Sequence, residues 1–447
     1  MIATPAVPLL PAEAARRAAR SAGAFWLCGP IGDGAAVGRH FVGTGPVRVV
    51  RARTADDVHA LVELEEAWAE ARSGWGGAAG PAAVPVGVGW LSYDLGRRLV
   101  GLAARSDAHA LSDADRAAWP ALEFGFHEAV WVSDGGGAAT IFARDSAAAR
   151  RLAAVLEGNA DPEAPSAAIG PLVPDHPDGV FLAGARRILD YLVAGDVYQV
   201  NLARRLSAPI LAGSAVDLAV ALAKAAPAAH AAFIAAADGS GALLGNSPER
   251  FLAVDPEGRV ETAPIKGTRP RAADPEGDRA ATAALLASTK DRAEHVMIVD
   301  LERNDLGRVC QTGTVEVASL ARLLSLPTVH HLVSTVRGVL QPGIGLGALL
   351  SATFPGGSIT GAPKLRAMQI IDELEPVARG PYTGATGWLG AAGDLDLAIA
   401  IRTALVRRGR LSVSVGSGIV ADSEPEAELA ETEAKARAFS ALGPAGL

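Results

Sequence analysis

Cysteine is nearly absent from this chain of 447 residues: there are two, Cys28 and Cys310. Neither belongs to a Cys-x-x-Cys pair, so no zinc site is expected. A disulfide is possible on count, but a reduced, cytoplasmic protein is the simpler reading. An excess of basic charge is also missing. The net charge is −8, which excludes the broad basic surface that nucleic acid or an anionic membrane requires. No basic stretch is interleaved with aromatics that would stack bases. No apolar run reaches the roughly eighteen residues of a membrane span, and the N-terminus lacks a basic segment ahead of an apolar one, so it does not read as a signal peptide. Aromatic residues make up only 5%, yet hydrophobic residues, many of them alanine, reach 49%. Such a chain buries a large core and carries no signature of disorder.

What is present divides in two. Residues 157–180 hold five prolines and no periodicity, and read as a linker or long surface connection. In residues 1–156, strand-like pieces (Val47 to Val50, Val84 to Leu91, Val130 to Val132) alternate with alanine-rich helices. In residues 181–447 helices are expected over Phe181 to Ala194, Lys290 to Leu301 and Pro425 to Leu442. Another should open after Gly361, with Leu365, Met368 and Ile371 on one face. Strands are expected at Val197 to Leu206, Leu243 to Gly245 and Phe251 to Val254, and as a pair, Ala398 to Val406 and Leu411 to Val415, across an Arg-Arg-Gly turn. Strands and helices do not alternate strictly, so the class expected is α+β, with antiparallel-rich sheets packed as a sandwich and flanking helices.

Several segments could carry chemistry. Lys266 follows the strand-like Arg259 to Thr262, between Pro264 and Gly267. It is either a turn lysine at the surface or a desolvated amine, which loses its proton readily and becomes a nucleophile. Glu424, Glu428, Glu431 and Lys435 are spaced 4, 3 and 4 apart and share a helix face. That is either a solvated stripe of ion pairs or a row of carboxylates facing a hard cation such as Mg²⁺. Glu294 shares its helix with Val296, Met297, Ile298 and Leu301, so two glutamates from two helices could grip one ion. The glycine-rich Phe354 to Lys364 opens a helix, a place suited to a carboxylate. Gly356 and Gly361 have P-loop spacing, but Ala362-Pro363 replaces the required Lys-Ser/Thr, so an NTPase is excluded. His331 and Tyr382 are weak signals singly. Arg402 interrupts an apolar strand and should face an anion or a cavity.

Taken together, GDVYQVNLARR, NSPERFL, PIKGTRPR, KDRAEHVMIVDLERNDLGRV, FPGGSITGAPKLRAMQIIDELEP, GPYTGATGWLG, AIAIRTAL and GSGIVADSEPEAELAETEAKA resemble the motifs of the chorismate-utilising enzymes, in order, across residues 181–437. A weaker match at Gly87 to Arg97 extends the likeness into the N-terminal half. The resemblance implies a chorismate-binding catalytic domain over 181–447, behind an N-terminal region over 1–156. It implies that Glu294 and Glu431 bind Mg²⁺, with Glu428 close by, and that Glu249 is the general acid for the C4 hydroxyl. It also implies that Gly267, Thr268, His331, Thr360, Tyr382, Arg402, Gly418 and Lys435 line the substrate. Gln199 stands where the water-adding members carry a lysine base; an amide cannot take that proton, so addition of water is disfavoured. Lysine at 266, where the anthranilate-forming members usually carry alanine, implies covalent attack on chorismate and amination at C4. Neither cysteine sits in a glutaminase-like turn, so ammonia is expected from a separate glutamine amidotransferase subunit. No lyase domain is expected behind the last motif. The serine and asparagine of the family's tryptophan pocket are missing from Phe25 to Gly29 and Ala226 to His230, so tryptophan binding is not expected.

Overall fold

The computed structural model describes residues 1–29, 38–57, 59–77, 80–102, 119–135, 137–158, 166–326 and 329–443. Its framework is two antiparallel sheets. The 13-stranded sheet runs from Ile2–Pro5 through Ala139–Ala143, Ala129–Ser133, His40–Gly43, Phe25–Cys28, His230–Ala235, Ala242–Ser247, Thr403–Arg407 and Arg410–Ile419 to Gln199–Ala212. The 10-stranded sheet runs from Ile265–Pro270 through Val329–Val339, Arg259–Ala263, Arg250–Val254, Leu395–Ile399, Ala385–Gly390, Pro85–Leu91 and Leu122–Phe126 to Arg48–Ala52.

Strand alternation sorts side chains between two cores. Phe25 and Leu27 turn into the space between the sheets, where they join Val86, Val88, Phe124 and Leu397. Trp26, between them in sequence, turns outward to a helical layer with Leu411, Val413, Val415 and Phe439. A third cluster seats Phe181, Ile188, Met368 and Ile371 against Val200, Leu202 and Ile419. The α+β sandwich with flanking helices is therefore the architecture observed.

Strands from both lengths of chain are interleaved in both sheets. The segment 157–180 joins two contributors to one framework; residues 159–165 of it lie outside the described residues. Its described part is also no free linker, since Ala168–Ile169 and Val173–Pro174 pair with Gln199–Ala212.

Three local expectations change. Ala398 to Val406 is not one strand: Leu395–Ile399 belongs to the smaller sheet and Thr403–Arg407 to the larger. The crossing occurs at Arg402, whose φ of 47° no continuous strand accommodates. Leu365 leaves the apolar face of its helix and is 46% exposed, while Met368 and Ile371 are buried. The helix after the glycine-rich loop begins only at Lys364, because Gly361–Ala362 first pairs with Gln199–Val200. Backbone groups expected at the mouth of a helix are thus partly committed to a sheet.

A buried ion pair holds these parts in place. Arg379 grips Glu375 through Nη2 and Nε at 2.6 and 2.9 Å. The same guanidinium donates to the carbonyls of Ile359 at 3.0 Å and Asn201 at 2.6 Å, and to Thr383 Oγ1 at 3.2 Å. Glu375 in turn accepts the Ala203 N–H at 2.9 Å, and Tyr93 lays its ring 4.7 Å from the guanidinium carbon. Arg379→Gln strands a buried carboxylate, so unfolding stability should fall by about 3–5 kcal/mol. Urea unfolding reads this directly, and adding Glu375→Gln in the same chain should restore part of the loss.

Candidate active site

Lys266 lies within the strand Ile265–Pro270, not in a turn after one. The strand bulges between Lys266 and Thr268 against Val329–Val339. Gly267 makes the bulge: its φ is 76°, and a Cβ there would stand 2.9 Å from Leu285 Cδ1. Lys266 Nζ reaches the Ser358 carbonyl at 3.4 Å. Burial holds the amine below the usual lysine range, against the opposing charges of Glu294, Glu249 and Glu431, while Lys435 pushes the same way as burial. Five side chains named from sequence thus act on one another here, brought from a strand, a strand turn and two helices.

Glu249 caps the turn between Ala242–Ser247 and Arg250–Val254 and is 4% exposed. Burial raises its proton affinity, against pulls from Ser358, Lys266, the Ile265 backbone and Arg402. Arg402 itself is drawn below its usual range by burial, with Glu249 opposing. Among the described residues it makes no ion pair, so a half-buried guanidinium faces the site with only the nearby charge of Glu249 to oppose it. Such a charge is costly unless an anion joins it.

Buried polar atoms without a hydrogen-bond partner among the described residues include Gln199 Oε1, Asn201 Oδ1, Glu249 Oε1, Ser358 Oγ and His331 Nε2. Each unsatisfied group costs about 1–3 kcal/mol, so a cluster of them calls for a polar ligand or water. Gly418 lets Gln199 lie close: a Cβ on Gly418 would fall 2.3 Å from Gln199 Nε2. Tyr382 is buried, its hydroxyl 2.9 Å from where a Cβ on Gly416 would stand.

Other expected residues are engaged locally. Thr268 is exposed and shares a 2.8 Å hydrogen bond with His331 Nδ1. Thr360 is fully buried and donates to the Gly356 carbonyl at 3.0 Å. Glu428 turns to the buried face of its helix, where its carboxylate accepts from Ser423 Oγ at 2.5 Å and also from Ser417 Oγ. Lys435 donates to the Gly416 carbonyl and pairs with Glu431, both at 2.7 Å.

For a cation, the relevant pair is Glu294 and Glu431. Burial raises the proton affinity of Glu294, and the Glu431 charge adds to it. Among the described residues no three carboxylate, histidine or cysteine side chains form a ready-made metal cage. An ion that keeps several waters needs only one or two carboxylates, and hard oxygen donors are what Mg²⁺ prefers. The donor set fits it.

Three residues escaped the reading of the sequence. Ser358 lay within a loop already singled out, and Asn201 within a quoted motif. Arg379 gave no such signal, because its bonds to the Asn201 and Ile359 carbonyls join stretches distant in sequence.

Residues 28–441 match the family described as chorismate binding enzyme. The chain is 44% identical over 350 residues to aminodeoxychorismate synthase component 1 of Klebsiella aerogenes, covering 77% of this chain and 74% of that protein. It is 48% identical over 260 residues to anthranilate synthase component 1 of Streptomyces coelicolor, covering 58% of this chain and 50% of that one. Among solved structures, anthranilate synthase component I from Streptococcus pneumoniae superposes with a TM-score of 0.75 at 28% identity, over 92% of this chain and 94% of that one.

Burial lowers the His331 pKa to about 4, below the ~6.5 of an exposed histidine. Its folded value lies below its unfolded one, so stability from this group is full above about 6.5 and is lost as pH falls toward 4. NMR titration should find the ring neutral at pH 7, with its midpoint near 4.

Proposed function

The chain belongs to the family of chorismate binding enzymes, and on that premise we propose that it is the chorismate-aminating component 1 of an aminodeoxychorismate synthase. The observation that carries the reading is Lys266. A half-buried amine held below its usual range by desolvation, beside a buried carboxyl raised above its own, offers a nucleophile and an acid together.

The neutral amine of Lys266 attacks C2 of chorismate. Both ring double bonds shift, C1=C2 to C1=C6 and C5=C6 to C4=C5, and the C4 hydroxyl leaves as water with the proton of Glu249, which becomes a carboxylate. Ammonia then bonds to C4, both double bonds return to their first positions, and the electron pair of the C2–N bond returns to Lys266 as that bond breaks. The new ammonium gives its extra proton to Glu249. The balance is chorismate plus ammonia to 4-amino-4-deoxychorismate plus water, with the enolpyruvyl group retained. Arg402 supplies a cation for a substrate carboxylate. Gln199 offers an amide where a base would be needed to activate water, so ammonia is the nucleophile admitted at C4. Gly267, Thr268, His331, Thr360, Tyr382, Gly418 and Lys435 complete the lining, Thr268 by orienting His331. Mg²⁺ would be held by Glu294 and Glu431, with Glu428 close by, and supplies positive charge for the ring carboxylate.

Ammonia comes from a separate glutamine amidotransferase subunit. Burial pushes the thiols of Cys28 and Cys310 up to about 12 and about 11, far from the thiolate that a glutaminase uses. Both are free, which fits a reducing, cytoplasmic setting. The product serves p-aminobenzoate and folate synthesis.

Purified protein given chorismate, Mg²⁺ and ammonium should form 4-amino-4-deoxychorismate by mass spectrometry; anthranilate and pyruvate as main products overturn the reading. Lys266→Ala should lower this turnover at least about hundredfold with chorismate binding nearly intact, and full activity would exclude the covalent role. Glu431→Gln should weaken Mg²⁺ binding about tenfold by calorimetry; unchanged binding would remove it from the ligand set.

A further inference from the structure

Behind Glu249 stands a second acid that the chemistry above leaves unused. Glu302 is 6% exposed, on the helix Thr289–Gly307, and its Oε2 accepts from Thr262 Oγ1 at 3.1 Å. Glu249 stands at the start of a neighbouring strand. Arg250 Nη1 reaches Glu261 at 2.8 Å, and its Nε and Nη2 reach Asp396 at 3.2 and 3.1 Å, on one face of the small sheet. By alternation, Thr262 turns to the opposite face, where the helix carrying Glu302 lies; Glu249 directly precedes Arg250, which pairs with Ala263, the residue after Thr262. Thr262 is 5% exposed, and Glu249 Oε1 has no hydrogen-bond partner among the described residues. Glu302 and the Thr262 hydroxyl therefore share a space nearly closed to water, and the charge of Glu249 reaches Glu302 across it.

Resting on the reading of Glu249 as the general acid, we propose that Glu302 is its proton-bearing positioning partner, a neutral carboxyl that gives a hydrogen bond to Glu249 once Glu249 has released its proton. Two buried carboxylates side by side cannot both be ionised cheaply. The charged groups facing Glu302 divide by sign: Glu249 and Asp305 push its proton affinity up, and Lys364 pulls it down, while burial is the largest influence and raises it well above the usual range. Lys364 is already taken, at 2.6 Å from Asp305, which Arg308 also pairs at 3.1 Å. Lys266 and Arg402 act on Glu249. Glu302 thus keeps its proton while Glu249 cycles. In the first step Glu249 gives a proton to the departing hydroxyl; in the second it recovers one from the new ammonium. Glu302 exchanges none and needs no co-reactant. Its O–H stabilises the transient Glu249 carboxylate in place of the water that burial excludes.

Infrared spectroscopy of the full chain at pH 8 tests the protonation directly. The difference between wild type and Glu302→Gln should contain the carbonyl band of a protonated carboxylic acid, and the same band should persist in Glu249→Gln. Its absence from the difference overturns the proposal. Kinetics tests the role. Glu302→Leu, which cannot donate, should lose about tenfold more kcat than Glu302→Gln, which can, with equal KM for chorismate. Equal losses in the two variants overturn the positioning role alone, provided Glu249→Gln is impaired. Full turnover in Glu249→Gln overturns the general-acid reading along with it. Should the leucine variant fail to fold, the infrared difference still decides whether Glu302 holds a proton.

Discussion

The site depends on Arg379 before it depends on any residue that would touch substrate. A single guanidinium closes on Glu375 and at the same time fastens Asn201, Ile359 and Thr383. Gln199 lies two residues from the first of these anchors, Thr360 one from the second and Tyr382 one from the third. Their relative positions are therefore fixed by a guanidinium that Gln199 and Thr360 do not touch and that lies over the ring of Tyr382. Such a pair contributes little to net stability against an apolar replacement, but losing one partner is expensive. Its value here lies in geometry, because three segments distant in sequence share one rigid fork of donors.

Exclusion of water then does chemical work. The same burial moves Lys266 downward and Glu249 upward, because in each case it penalises the charged form. An amine able to attack and a carboxyl able to donate are both neutral species. One physical condition favours both, and the surrounding charges temper it: Glu294 and Glu431 hold Lys266 from falling further, as Lys266 and Arg402 do for Glu249. Arg402 and the unsatisfied atoms of Gln199, Asn201, Ser358 and His331 mark where a polar, anionic molecule would settle the remaining imbalance.

Much of this was legible in the sequence because it is local. The helical spacing of Glu428, Glu431 and Lys435 and the alternation of Leu411, Val413 and Val415 need no knowledge of distant chain. Spacing alone could not say that Glu428 faces inward to Ser417 and Ser423 while Glu431 stays half exposed, because the helix's rotation is set by Phe439 and Ala436 in the core. The break at Arg402 was hidden for a related reason. Its flanks are apolar but for Thr403, a residue that strands favour, so a passage from one sheet to another reads as a single strand. The framework uniting residues 1–156 with 181–447 was equally invisible, since strand pairing over such separations leaves no periodic trace.

That interleaving bears on how the chain acquires its shape. Pro85–Leu91, inside the smaller sheet, has Ala385–Gly390 as one neighbour, and Phe25–Cys28, inside the larger, has His230–Ala235. During synthesis the early strands emerge with apolar edges and must wait for partners made much later. Folding dominated by contacts so distant along the chain is slow, and its intermediates expose unpaired strand edges that invite association. The architecture that brings Lys266 and its acids together therefore makes the nascent chain dependent on protection until its last strands are in place.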